Sequence, residues 1–214
     1  MPKETPRRGR KPSLNRAMIG DAALDVGFEK ITLTAVAERL GISHAGLYTY
    51  VADRNDLVTA AAEQLAESMA WPEPGPDWEA FLRAEGDAMY RAMFTHPGLV
   101  AALDDAQGIP DNFRQHLADV HGHLIELGFD PEKAFHAMDV VFDLASYTAE
   151  SAARIVRRSP EGRQQLSEAW SAGYEDGLRK LMMNAVMDEP ITWFEAKLDI
   201  VIAGIRATLA PEGT

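Results

Sequence analysis

Residues 32–54 read TLTAVAERLGISHAGLYTYVADR and predict two short helices joined by a tight turn. Apolar residues recur in the first half at the three- and four-residue spacing that places them on one helix face. These residues are Leu33, Val36, Ala37 and Leu40. The pattern therefore indicates a helix that packs on a neighbour with one side and is followed almost at once by another helix.

Residues of the types that begin and end helices occur at four points in this stretch. Thr32 can accept a hydrogen bond from an unpaired backbone N–H at the start of the first helix. Gly41 can end that helix, because glycine adopts the left-handed conformation at low cost. Ser43 can cap a second helix over about residues 44–51, and Asp53 can cap the helix that follows.

A glycine-containing turn between two short helices is the layout of a helix-turn-helix, whose second helix enters the DNA major groove with its N-terminus first. Ala45 and Gly46 would let the backbone approach the bases, whereas tyrosine and threonine hydroxyls further along suit phosphate oxygens. The predicted DNA-binding residues here are Thr32, Thr34, Ser43, His44, Ala45, Gly46, Tyr48, Thr49, Tyr50 and Arg54. The alternative is a plain helical hairpin with Tyr48 and Tyr50 as half-buried structural aromatics.

The run from Gly27 to Leu57 resembles the N-terminal domain of the TetR family of bacterial transcriptional repressors. The matching residues are Gly27-Phe28, Thr32, Val36-Ala37, Leu40-Gly41-Ile42-Ser43, Gly46, Leu47-Tyr48, Val51, Arg54 and Leu57. The family often has His-Phe at Tyr50-Val51 and Lys at Arg54. This resemblance implies an all-α dimer that binds a near-palindromic operator and leaves it when a small molecule occupies the C-terminal domain.

The composition is that of a globular chain with a sizeable core. Hydrophobic residues make up 46% of the 214 residues, and the chain has no cysteine, which excludes a disulfide framework and a thiolate zinc site. No apolar run approaches the roughly 18 residues of a membrane span. The N-terminus lacks the apolar segment of a secretory signal, so we expect a cytoplasmic protein.

Charge is distributed unevenly along the chain, although the net charge of −12 at first argues against binding nucleic acid. Residues 1–20 hold six Lys or Arg and one acid, whereas residues 71–214 hold 12 basic and 24 acidic side chains. A basic tip on an acidic body would attract DNA at one end and repel it elsewhere.

Residues 1–12 predict a basic flexible arm that is disordered without DNA. Its side chains Arg7, Arg8 and Arg10 could follow phosphates or enter an adjacent minor groove. The alternative is a solubilising tail.

The run Trp71-Pro72-Glu73-Pro74-Gly75-Pro76 is the clearest helix breaker in the chain, because three prolines in five residues cannot continue a helix. It separates a predicted DNA-binding domain with its connecting helix, residues 13–70, from a helical effector-binding and dimerisation domain, residues 71–214. The predicted helices are approximately 14–26, 33–40, 44–51, 54–70, 78–94, 99–104, 111–127, 131–158, 160–187 and 190–209. The helix over 160–187 would be two helices if Gly173 or Gly177 interrupts it.

Two C-terminal helices, about 131–158 and 190–209, carry more apolar surface than one subunit can hide. We therefore predict a homodimer in which these helices of both subunits form a four-helix bundle, with Ile202 in the contact. A total buried area of about 1,600 Å² would be ordinary for such an interface. The alternative is that both helices are simply core.

A small-molecule cavity needs mostly apolar side chains and a few polar groups. The predicted ligand-binding residues are Trp78, Met89, Met93, Phe113, His116, Phe135, Met138, Asp139, Phe142, Trp170 and Tyr174. Core packing is the alternative for each of them, since methionine and aromatic residues at helical spacing usually lie in a core.

The C-terminal region also resembles, more loosely, the tetracycline-sensing branch of the family, through Trp78-Glu79-Ala80-Phe81-Leu82-Arg83, the Thr95-His96 break, Leu127-Gly128-Phe129 and residues 132–134. In that branch the magnesium-chelating histidine would fall near Ala102 or Leu103, and the drug-contacting histidine near Met69 or Ala70. None of these side chains binds a metal. We therefore expect a more apolar effector than tetracycline with magnesium.

Neither a metal site nor a cofactor site is predicted. His116, His121 and His123 share one helix, but their spacing does not match the three or four residues that usually separate two histidine ligands. The sequence has no P-loop, dinucleotide fingerprint, G-x-S-x-G or H-E-x-x-H. The favoured function is a ligand-released, non-enzymatic DNA-binding repressor, and the alternative is a helical binding protein or enzyme with an incidental hairpin.

Overall fold

A computed structural model describes residues 14–106 and 108–211, in which eleven α-helices, one 3₁₀ helix and no strand occur. The helices are α1 (Arg16–Val26), α2 (Leu33–Leu40), α3 (His44–Leu47), α4 (Arg54–Ser68), α5 (Trp78–Thr95), α6 (Leu99–Ala106), α7 (Asp111–Glu126), α8 (Pro131–Val156), α9 (Pro160–Ser171), α10 (Asp176–Met187) and α11 (Pro190–Thr208). The 3₁₀ helix, Phe28–Lys30, lies between α1 and α2. The predicted all-α class is confirmed.

Local capping chemistry explains where the first helices begin and end. The predicted caps Thr32, Ser43 and Asp53 are confirmed, since each side chain accepts a hydrogen bond from a backbone N–H in the first turn of its helix. Gly41 ends α2 in the left-handed conformation at φ +65°. Helix α1 starts at Arg16, later than predicted, because Asn15 Oδ1 accepts from the Met18 N–H at 2.9 Å.

One other predicted helix differs from the structure. The second helix of the helix-turn-helix ends at Leu47, because the chain from Tyr48 to Tyr50 tightens into turns such as the 2.9 Å bond from the Tyr50 N–H to the Leu47 carbonyl. Of the two alternatives for residues 160–187, the structure has the interrupted one, with two helices, α9 and α10. Gly173, at φ +81°, lies in the break between them.

The N-terminal unit of α1 to α3, here called the head, is fixed to α4. Helix α1 packs along α4, and Gly20 makes their close approach possible. A Cβ atom at Gly20 would lie 2.4 Å from the Ala60 carbonyl oxygen and 2.5 Å from Gln64 Cγ. Beneath α2 and α3, Phe28 and Leu47 are fully buried, so the head has a core of its own side chains.

The remaining helices form the body, in which α5 packs on α8, and α8 packs on α7 and α11. Helix α4 contacts α6 and α7, and the buried apolar side chains form one continuous cluster from Ile19 to Ile205. The division of the chain at residue 70 therefore remains a prediction, since buried contacts cross it.

No helix in the described ranges combines the length and hydropathy that a bilayer crossing requires.

Helices α9 and α10 form a hairpin that contacts chiefly itself and, more weakly, α11. Its surface exposes large apolar residues, including Trp170, Leu178 and Leu181. This hairpin is the part of the body least covered by the rest of its own chain.

Candidate DNA-reading surface and effector pocket

The N-terminus of α3 faces outward. The Ser43 hydroxyl accepts a hydrogen bond from the Gly46 N–H at 3.1 Å, and Leu47 is fully buried and holds the helix to the head. His44 and Ala45 are exposed, and the imidazole of His44 lies edge-on to the Tyr48 ring, with centroids 5.1 Å apart. The leading residues of the helix are therefore presented to solvent and not to the protein core.

Most other members of the predicted DNA-binding set are exposed to solvent. Tyr48 is 51% exposed and Tyr50 44% exposed, while Thr34 and Thr49 are also exposed. Exposed Thr32 uses its hydroxyl to cap α2, where it accepts from the Ala35 N–H at 3.1 Å. Arg7, Arg8 and Arg10 of the arm lie outside the described residues.

Arg54 has a structural role that the sequence did not indicate. Its Nε–H donates to the Ile31 carbonyl at 3.2 Å, directly before the cap of α2, and its guanidinium lies 4.0 Å from the Asp105 carboxylate of α6. The side chain is still 40% exposed. Arg54 thus joins the start of α4 to the helix-turn-helix and to the body.

The other arginines of the described head are engaged by carboxylates. Arg16 contacts Asp56 at 2.6 Å and Glu63 at 2.8 Å, and Arg39 pairs with Asp25. Burial alone would raise the pKa of Asp56, but hydrogen bonds from Arg16 and the Ala52 N–H outweigh it and lower the pKa. Little arginine charge is therefore left unpaired in this part of the head.

A cavity in the body lies between α4, α5, α6 and α7. Its enclosed space is about 20 Å³ and reaches about 330 Å³ when the mouth that is open to solvent is included, and every side chain that lines it is apolar. The lining residues are Ala62, Leu65, Ala66, Met69, Met89, Ala92, Met93, Leu99, Leu103, Pro110 and Phe113. One wall of the cavity is the C-terminal half of α4, the helix whose first residue is Arg54.

The structure brings only part of the predicted ligand-binding set to this cavity. Met89, Met93 and Phe113 line it. The others lie elsewhere. His116 lies beside the cavity, Trp78 lies in the core against Phe129, and Met138 and Phe142 lie in or against the core. Phe135 and Asp139 are on the exposed side of α8, and Trp170 and Tyr174 belong to the hairpin. Helical spacing shows which residues share a face, but it does not show which neighbour that face meets.

A buried polar cluster adjoins the cavity, and the sequence analysis missed its central residue, Glu85. This side chain is fully buried on α5, one turn before Met89. Its Oε2 lies 2.8 Å from His116 Nε2, whereas its buried Oε1 has no hydrogen-bond partner. The Trp71 indole stacks on the His116 ring with centroids 3.6 Å apart, and also contacts Phe113. A glutamate within an apolar helix stripe was the only available signal.

The three histidines of α7 have separate partners. His116 contacts Glu85, His121 Nε2 lies 2.9 Å from the Pro131 carbonyl, and His123 Nε2 lies 2.9 Å from the Gly75 carbonyl. The last contact holds the proline-rich loop against α7. Across residues 14–106 and 108–211, no group of three or more histidine, aspartate or glutamate side chains could hold a metal ion.

A second junction joins the head to the body through the 3₁₀ helix. Glu29 makes two hydrogen bonds with the Arg157 guanidinium, at 2.5 and 3.0 Å, and this pairing with Arg157 lowers the pKa of Glu29. Gly98 abuts Glu29, since a Cβ there would lie 2.6 Å from Glu29 Cγ. The Gly98 N–H in turn donates to Glu150 Oε1 of α8 at 2.8 Å.

No protein-family model matches the chain. The tetracycline repressor protein class C of Escherichia coli is 26% identical over 187 residues, which cover 85% of this chain and 84% of that repressor. The matched residues thus make up most of both chains. The chain is similar in sequence to a tetracycline repressor over most of its length.

Solved TetR-family structures have the same fold. Streptomyces coelicolor ActR in complex with actinorhodin superimposes with a TM-score of 0.75 at 21% identity, covering 96% of this chain and 100% of ActR. A variant of TetR from Acinetobacter baumannii AYE in complex with minocycline superimposes with a TM-score of 0.72 at 21% identity, and the match covers 94% of this chain and 98% of that protein. Both likenesses concern the arrangement of helices.

The cavity includes two positions that the sequence resemblance singled out. Met69 and Leu103 both line it, and they lie at or next to the positions to which the resemblance assigns the histidines of the tetracycline-sensing branch. Both are apolar here, so the walls at these two places offer no metal ligand.

Proposed function

We propose that this protein is a dimeric, DNA-binding transcriptional regulator of the TetR type, most simply a repressor, that leaves its operator when a small molecule binds in the body. The observation that carries the proposal is the capped N-terminus of α3, with His44 and Ala45 exposed at its leading end. A helix presented in this way fits the major groove. The role involves no catalysis.

The positive charge for phosphate binding comes mainly from the arm. Residues 1–12 contain five Lys or Arg, whereas Arg16 and Arg39 of the head and Arg54 of α4 are engaged within the protein. The acidic body would keep DNA away from every surface other than the reading side. Tyr48, Thr49 and Tyr50 supply neutral hydroxyls for phosphate oxygens beside α3.

The dimer forms through α8 and α11, as the two helices expose large apolar side chains on their outer faces. Tyr147 of α8 is 71% exposed and Ile200 of α11 is 73% exposed. Ile202, which the sequence analysis placed in the contact, is fully buried within its own subunit, so that expectation was wrong. The two residues lie about 200° apart on a helix, so one faces the core while the other faces outward.

Helix α4 carries the effect of the ligand to the DNA-reading surface. Its C-terminal half lines the cavity with Leu65 and Ala66, and its packing against α1 at Gly20 leaves no space for independent movement. At its other end Arg54 holds the Ile31 carbonyl next to the cap of α2. A ligand that shifts α4 must therefore shift the head. To change the ratio of the released form to the DNA-binding form from 1:99 to 99:1, the ligand must bind the released form about 5.5 kcal/mol more tightly than the DNA-binding form.

The effector is more apolar than a tetracycline–magnesium complex. Cavity walls without oxygen or nitrogen at Met69 and Leu103 support this, since a magnesium ion takes oxygen ligands or bound water. The minocycline complex of the Acinetobacter protein therefore does not predict the ligand here.

A gel mobility-shift titration on DNA from the region upstream of the protein's own gene tests the proposal. The wild-type protein should shift this DNA, and binding should fall steeply with salt on a log–log plot. His44→Ala should relax the preference at one or two base pairs by about 1–3 kcal/mol each.

Tyr48→Ala is the matched variant. The Tyr48 ring contacts His44, but we assign the Tyr48 hydroxyl to a contact with a DNA phosphate and not with a base. This variant should weaken binding to all sequences about equally. A wild-type protein that binds neither this DNA nor any member of a random-sequence pool would overturn the proposal and favour a helical binding protein or enzyme. Unchanged base preference in His44→Ala would remove that residue from the reading surface.

A further inference from the structure

Glu85 is a buried carboxylate that is only half satisfied. Its Oε2 contacts His116 Nε2 at 2.8 Å, and its Oε1 has no partner among the described residues although it is buried. A carboxylate without its hydrogen bonds is costly to bury. Among the described residues, one carboxylate oxygen of Glu85 contacts a histidine, and the other oxygen has no hydrogen-bond donor.

The position of Glu85 connects this oxygen with the effector cavity. Glu85 precedes Met89 by one turn of α5, and its contact His116 follows Phe113 by about one turn of α7. Met89 and Phe113 both line the cavity. Glu85 and His116 are not among the residues that line the cavity, so the pair lies behind its apolar walls.

Two further features of this region suit a positive charge. The indole of Trp71 stacks on His116, which contacts Glu85, and also contacts Phe113 of the cavity wall, so an aromatic ring lies between the two. Aromatic faces attract cations within about 6 Å of the ring centre. The acidic excess of residues 71–214 also raises the local concentration of cationic molecules around the body.

We infer that the effector is a mostly apolar, aromatic molecule with one protonated amine, which occupies the cavity and donates a hydrogen bond to Glu85 Oε1. The inference rests on the proposed effector site but not on DNA binding. The ammonium would compensate the buried carboxylate, Trp71 would cover it, and the apolar walls would take the ring. A neutral alcohol of the same shape could donate the hydrogen bond but would not balance the charge.

Calorimetric titration of the full-length protein, without DNA, with two matched probes tests this assignment. The probes are 2-(1-naphthyl)ethylamine and 2-(1-naphthyl)ethanol, which share a ring and a chain length and differ in charge. The amine should bind the wild-type protein at least about tenfold more tightly, because a charged hydrogen bond is worth a factor of ten or more. Quenching of Trp71 fluorescence should accompany binding.

Three variants test whether the preference for the amine over the alcohol depends on Glu85. Glu85→Gln keeps the side-chain shape without the charge and should reduce the preference for the amine to about twofold or less, whereas Glu85→Leu should bind the amine no better than 1-ethylnaphthalene. Asp87→Asn is the control, since Asp87 lies on the same helix but pairs with Arg91 at the surface. It should keep the wild-type preference. Circular dichroism checks that each variant is folded.

Equal binding of amine and alcohol by the wild-type protein, no binding of either at concentrations up to about 1 mM, or a preference that survives Glu85→Gln would each overturn the inference. These results are separate from those of the mobility shift. Amine binding through Glu85 without release of DNA would contradict the proposed function alone, and salt-dependent DNA binding without amine preference would contradict the inference alone.

Discussion

The head and the body are both all-helical, but different kinds of interaction define them. In the head, Thr32, Ser43 and Asp53 cap consecutive helices within 22 residues, and Gly41 makes the turn between two of them. In the body, Glu85 and His116 meet from helices 31 residues apart. Interactions within a helical turn leave a signature in the sequence, whereas contacts between distant helices leave almost none.

The head packs on α4 of its own subunit, whereas the body leaves apolar surface exposed on its outer helices. Large apolar side chains lie uncovered on α8, α10 and α11 in a single subunit. The two junctions between head and body, at Arg54 and at Glu29, then decide how a change in one region reaches the other. Three predictions address the body, the head and the junction in turn.

The largest effect is expected from Ile200→Asp, which tests whether the body needs a second copy. A charge buried against an apolar partner costs several kcal/mol, so the dimer dissociation constant should rise at least about a thousandfold. Multi-angle light scattering should then give the mass of one chain, and operator binding should be lost. Ile125→Asp, an exposed isoleucine of α7, is the control and should remain dimeric. An intact Ile200→Asp dimer would show that the α11 surface lies outside the interface.

A smaller effect is expected from Gly20→Ala, which tests whether the head also depends on one long-range contact. The added methyl group would overlap the Ala60 carbonyl, and overpacking of this kind costs about 1–3 kcal/mol. The melting temperature should fall by several degrees, as about 2–4 °C accompanies each kcal/mol at this size.

Gly122→Ala is the matched comparison for Gly20→Ala. Gly122 lies within α7, and a Cβ atom there would meet nothing within 4 Å. This variant should gain about 0.5–1 kcal/mol, because alanine is the better helix former. If both variants melted at the same temperature, the tight fit of α1 on α4 would not be a determinant of stability.

The smallest effect is expected from Glu29→Gln at the junction. Arg157 holds the pKa of Glu29 below the ordinary glutamate value, so the pair stabilises the fold at neutral pH and its contribution is lost as pH falls through the lowered pKa. Both side chains are nearly half exposed, which limits the contribution to about 1 kcal/mol or less.

Urea unfolding at pH 7 and at about pH 3 measures this contribution, since the second value lies below the ordinary glutamate pKa of about 4.3. The variant should be less stable than wild type at pH 7, and the difference should shrink at the lower pH. Asp87→Asn removes a surface pair within α5 and serves as the comparison. A difference that grows at low pH would contradict the assigned role of Glu29.

The sequence alone determined the helical class, the caps of the helix-turn-helix and the outward set around His44, because capping and amphipathic spacing act within a few residues. It was less successful in the body. Of the eleven residues predicted to bind a ligand, Met89, Met93 and Phe113 line the cavity, and Glu85 was not among them.

Only the tertiary structure decided which helix faces meet. It placed Ile202 in the core and Ile200 outside, directed Arg54 to the Ile31 carbonyl, and brought Glu85 to His116 beside an apolar cavity. The physical reason is that helical periodicity fixes the angle between side chains on one helix but not the rotation of that helix against its neighbours. That rotation is set by close packing across the whole core, through contacts such as that of Gly20 with the Ala60 carbonyl.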